Sequence, residues 1–103
     1  MTLRAWLRGR SPIPPPRLTA RIEEVLRDCW DCDAGEASER CVVAAAQLLQ
    51  HLLTRPSTGR ESALDLLTVD ALVTYAFEAA AIDPTTLPRR ADAAMAHLIA
   101  AAQ

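Results

Sequence analysis

A chain of 103 residues and 11.2 kDa closes around one hydrophobic core, which excludes two independent domains. Half of the residues are apolar but only 4% are aromatic, and alanine fills about a fifth of the chain, so the composition suits closely packed helices and suits a β-sandwich badly. A charged fraction of 23%, a net charge of −2 and a mean hydropathy of +0.06 exclude an intrinsically disordered chain, because enough apolar surface is present to offset the ordering entropy. All eleven basic residues are Arg, and Lys and Asn are absent, which points to a GC-rich, bacterial genome.

The first 22 residues carry Arg4, Arg8, Arg10, Arg17 and Arg21 and no acid, so this end is +5 while the remainder is −7. Residues 1–17 read as a basic arm and residues 18–103 as a single helical domain. Within the arm, Met1 to Gly9 can form a short helix with Leu3, Trp6 and Leu7 on one side, and Ser11–Pro16 favours an extended spacer. A basic segment beside an acidic body is expected to fold back on that body or on a second copy, and Arg4, Trp6, Arg8 and Arg10 are its candidate contact residues.

From Leu18 the apolar period becomes helical: Leu18, Ile22, Val25, Leu26 and Cys29 make one stripe, which predicts a helix over about Pro16 to Cys32. Asp33-Ala-Gly35 interrupts it, and Cys41, Ala45, Leu48, Leu49 and Leu52 predict a second helix that Pro56 ends. A turn at Gly35 makes the two an antiparallel αα-hairpin, with Leu18 opposite Leu52, Ile22 opposite Leu48, Val25 opposite Ala45 and Cys29 opposite Cys41. Thr58 and Glu61 have the capping-box form and start a third helix. Its polar face then moves, since Glu61, Asp65 and Thr68 lie nearly opposite Asp70, Thr74 and Glu78. Either this helix is central and touched on several sides, or the chain breaks at Thr68, and the break is the preferred expectation. Leu72, Val73, Tyr75, Ala76, Phe77 and Ala80 supply the bulkiest core, and a last helix buries Leu87, Ala91, Met95, Leu98 and Ala102. The fold class expected is therefore all-α, a small bundle of four to five helices.

Cys29-Trp-Asp-Cys32 is the one local pattern with chemical meaning, since thiols at i, i+3 share a helical face and can form a redox couple or bind a metal. Cys41 joins them through the hairpin register, which makes Cys29, Cys32 and Cys41 the metal candidates. His51 is ten residues beyond Cys41, roughly 15 Å along a helix, too far to share an ion with it. Asp28, Asp31, Asp33, Glu36 and Glu39 give the thiols a negative neighbourhood, which opposes a reactive thiolate. The bland expectation is that Cys29 and Cys41 act as small hydrophobes closing the end of the hairpin, with Trp30 as a lid.

The chain contains no glycine-rich phosphate loop, no nucleophile triad spacing and no calcium-loop pattern. Leu66 to Glu78 resembles the helix of isoprenoid diphosphate synthases that reads GDALL followed by AFE. The likeness covers 13 residues and comes without the aspartate-rich motif that binds magnesium diphosphate, so it implies no such activity. The expectation is a cytoplasmic, non-catalytic module without a cofactor, acting as a homodimer or on a protein partner, with neither nucleic acid nor membrane as partner. The alternative is a thiol or metal protein built on the three cysteines.

Overall fold

The computed structural model describes residues 1–55 and 59–103. Five α-helices follow one another: α1 (Leu3–Arg8), α2 (Pro16–Val25), α3 (Ala37–Thr54), α4 (Arg60–Ala80) and α5 (Leu87–Ala102), with short 3-10 turns at Arg27–Cys29, Ala34–Glu36 and Pro84–Thr86. The fold is an all-α bundle, and among the described residues no β-strand and no helix long and apolar enough to cross a membrane occurs.

The first helix is shorter than its apolar stripe predicts. α2 stops at Val25, and Arg27–Cys29 tightens into a 3-10 turn that still brings Leu26 and Cys29 to the core. Beyond it the N-terminal arm takes over the backbone hydrogen bonding. Leu3 N donates to the Cys32 carbonyl at 2.8 Å, Arg4 N to that of Trp30 at 3.1 Å, and Ala34 N to that of Met1 at 2.8 Å. The start of α1 thus clasps the turn after α2 through an isolated bridge between Thr2 and Asp33, and Leu3 is fully buried there. The crowded carboxylates of Asp28, Asp31 and Asp33 also disfavour further helix, since they would sit at its negative C-terminal end.

α3 is the centre of the bundle. Its residues Ala37, Ser38, Cys41, Val42, Ala44, Ala45, Ala46 and Leu48 are all buried, more than on any other helix. Small side chains on every side let neighbouring backbones approach closely, so α3 carries the principal packing against both α4 and α5. The helix lying most closely along α3 is α4, not α2. α2 packs more on α4, and a cleft lined by Arg21, Val25, Ala44, Gln47, Leu48 and His51 separates it from α3.

The break expected at Thr68 does not occur, and α4 runs unbroken for 21 residues. Each polar group on its inward side is satisfied. Thr68 is fully buried and its hydroxyl donates to the Leu64 carbonyl at 2.8 Å, while Asp65 accepts from Arg21 Nε at 2.7 Å across to α2. The moving wet face therefore marks a helix contacted from several sides. The capping residue expected for α4, Thr58, and the helix-ending Pro56 lie outside the described residues. α4 follows Gly59, whose φ of 152° favours glycine.

Three core assignments also change, those of Phe77, Met95 and Ala102. Phe77 is 38% exposed and Met95 is 53% exposed. Ala94 is the buried residue of α5, flanked by half-buried Leu87, Ala91, Leu98 and Ala101. Beyond Ala91 this stripe advances by three, four and three residues, following the 3.6-residue turn. It leaves Met95 and Ala102 one position off the buried line.

Candidate functional site

The cysteines come together much as the two apolar stripes imply. Cys41 is fully buried in the core, and Cys29 is half-buried against the same cluster, its thiol donating to the Leu26 carbonyl at 3.4 Å. Burial pushes the Cys41 thiol up to about 12, and Cys29 lies close enough to add to that shift. Burial and the nearby Cys32 push Cys29 up as well. A nucleophilic or redox thiol needs the opposite shift. All three thiols are free, and among the described residues no group of three or more His, Cys, Asp or Glu is placed to hold a metal ion.

The basic arm meets carboxylates of its own chain. Arg4 pairs with Asp31 at 3.3 Å, Arg8 with Glu23 at 4.0 Å and Arg10 with Glu78 at 3.8 Å. Arg4 also lies over the Trp30 ring at 5.9 Å and Arg10 over Trp6 at 4.8 Å, while Trp6 meets Tyr75 of α4 edge to face at 6.3 Å. The ion pairs are solvent-exposed and each contributes little on its own. The clasp of Leu3 and the aromatic contacts therefore hold the arm more than its charge does.

What the sequence reading missed is a groove. On α5, Arg89, Ala93, His97 and Ala100 border clefts shared with Glu39, Val43, Gln47 and Gln50 of α3. With about 100° between successive residues, Met95, Ile99 and Ala102 then lie on the opposite flank of α5. On α4, Tyr75 and Glu78 face the arm and Leu64 and Leu67 face α2, which leaves Leu66, Val69, Val73 and Phe77 on the other flank. Since both helices pack on α3, these are by elimination the flanks turned toward each other. α4 and α5 touch each other only slightly, so the valley stays open. Leu53, Leu66, Met95 and Ile99 are each more than half exposed, and Phe77 is more than a third exposed. Large apolar side chains on the outward side of amphipathic helices were the available signal. Of these, the sequence pattern places Phe77 and Met95 in the expected core and assigns no role to Leu53, Leu66 or Ile99. Comparison with protein-family models, curated proteins and solved structures found no match for this chain.

Proposed function

We propose that the protein is a non-catalytic association module that pairs with a second copy of itself through the α4–α5 groove. The observation that carries this reading is the exposure of Leu53, Leu66, Phe77, Met95 and Ile99, of which the α4 and α5 members fall by helical spacing on flanks that other described helices leave largely uncovered. Scattered exposed apolar residues need no explanation, but a contiguous set of this size marks an interface. A second copy is the occupant because the ridge needed to fill the valley, Met95 and Ile99, stands on the helix that walls it. Such a surface pairs isologously about a two-fold axis. Arg4, Trp6, Arg8 and Arg10, the contact residues expected from the sequence, are engaged within the chain, and the arm lies against the opposite flank of α4, so this interface is built without them.

A pI near 5.6 works against phosphate attraction, so nucleic acid is not the partner in this reading. The three free thiols favour a reducing, cytoplasmic location. The thiol or metal alternative is disfavoured by the upward shifts of Cys29 and Cys41.

Sedimentation equilibrium at tens of micromolar tests the proposal. The expected result is a reversible dimer that Met95→Glu with Ile99→Glu converts to a folded monomer, since both side chains are already half exposed and the monomer tolerates the charge. A wild-type monomer throughout that range, or a dimer indifferent to both substitutions, contradicts it.

A further inference from the structure

On the far side of α4 from the groove, the arm closes over a second feature, a half-open cavity of about 160 Å³. Its apolar walls come from Ile13, Ile22, Trp30 and Tyr75, contributed by the arm, α2, the turn after α2, and α4. This volume matches one six-membered ring, since an apolar cavity near 150 Å³ holds benzene. The polar groups around it are not balanced. Arg8 and Arg10 stand at the lining, and their carboxylate partners hold them only loosely, Glu23 reaching Arg8 at 4.0 Å and Glu78 reaching Arg10 at 3.8 Å, both near the outer limit of an ion pair. Among the described residues the Tyr75 hydroxyl and the Trp30 indole N–H make no hydrogen bond to protein, so both are spare donors. The Tyr75 hydroxyl is protonated at neutral pH in any case, and burial raises its pKa further.

We infer that this cavity binds a small carboxylate with a compact apolar body, of benzoate size, its ring between Trp30 and Tyr75 and its carboxylate toward Arg8 and Arg10. Two aromatic walls suit a ring, and guanidinium groups suit a carboxylate through paired hydrogen bonds. Arg10 is held in place by its stacking on Trp6, which limits the ordering that binding must add. The inference is independent of the groove, because no residue is common to the two sites.

The test is titration of the full chain with benzoate and with its neutral counterpart benzyl alcohol, read by calorimetry and by the Trp30 indole N–H signal in magnetic resonance. The expected result is a saturable shift of Trp30 with benzoate, at an affinity about tenfold above that of benzyl alcohol. Arg8→Gln with Arg10→Gln removes that preference while benzyl alcohol binding persists. Glu23→Gln, which frees Arg8, strengthens benzoate binding and leaves benzyl alcohol unchanged. Ile13→Trp fills the space and abolishes both. An unsaturable or absent Trp30 shift, benzoate no tighter than benzyl alcohol, or a preference that survives loss of both guanidinium groups overturns the inference.

Discussion

α3 and α5 are both rich in alanine and nearly equal in length, at 18 and 16 residues, yet α3 buries eight of its residues and α5 only Ala94. Alanine permits close approach, but burial depends on how many neighbours take up the offer. α3 receives α4 on one side and α5 on another, whereas α5 has α3 as its one substantial helical neighbour. The same composition therefore makes a core helix in one place and a half-covered one in the other, and the uncovered flank of α5 is where Met95 and Ile99 stand.

Truncating an aliphatic side chain on each helix gives the largest contrast. Leu48→Ala on α3 should cost about 2–5 kcal/mol, because it empties space in a packed interior, while Leu98→Ala on half-covered α5 should cost about 1 kcal/mol in the monomer, both read from denaturant unfolding. Equal losses would break the comparison. Enlarging an alanine sharpens it next. Ala45→Leu must force fully buried α3 away from its neighbours and should cost about 1–3 kcal/mol, whereas Ala96→Leu on the exposed side of α5 should stay within about 0.5 kcal/mol. Gly59→Ala, at the positive φ that precedes α4, should lose about 1 kcal/mol in the same unfolding measurement with no change in contacts.

A pH experiment probes the α3 interior without a large change of shape. Because burial raises the Cys41 pKa from 9.0 to about 12, the folded state favours the neutral thiol. That contribution is fully present below pH 9.0 and is lost as pH rises toward 12. Unfolding curves across this window should fall more steeply for the wild type than for Cys41→Ala. Native-state alkylation near neutral pH should spare Cys41 as well.

Much of the bundle was legible because burial imposes a period that survives in the residues. Leu18, Ile22, Val25 and Cys29 do pack on the core, Cys29 and Cys41 do approach, and the basic arm does return to the acidic body. Three features were not legible, each for a physical reason. The end of α2 at Val25 depends on the arm supplying hydrogen-bond donors to the Trp30 and Cys32 carbonyls, a partner 26 residues or more away in the chain. The continuity of α4 through Thr68 depends on Arg21 satisfying Asp65 from another helix. The groove was hidden because an apolar side chain facing solvent carries no mark to distinguish it from one facing the core. Phe77 and Met95 read as interior on hydrophobicity, and only the placement of the helices leaves them, among the described residues, 38% and 53% exposed.

The central claim is that the uncovered flank of α5 is covered by a second copy, and the two methionines test it within one sample. Met1 is 79% exposed and Met95 is 53% exposed, so a soluble paramagnetic probe should broaden both methyl signals in dilute protein. As concentration rises to tens of micromolar and beyond, the account requires the Met95 methyl to become shielded while Met1 stays fully accessible. Equal broadening of the two methyl groups at every concentration would contradict it.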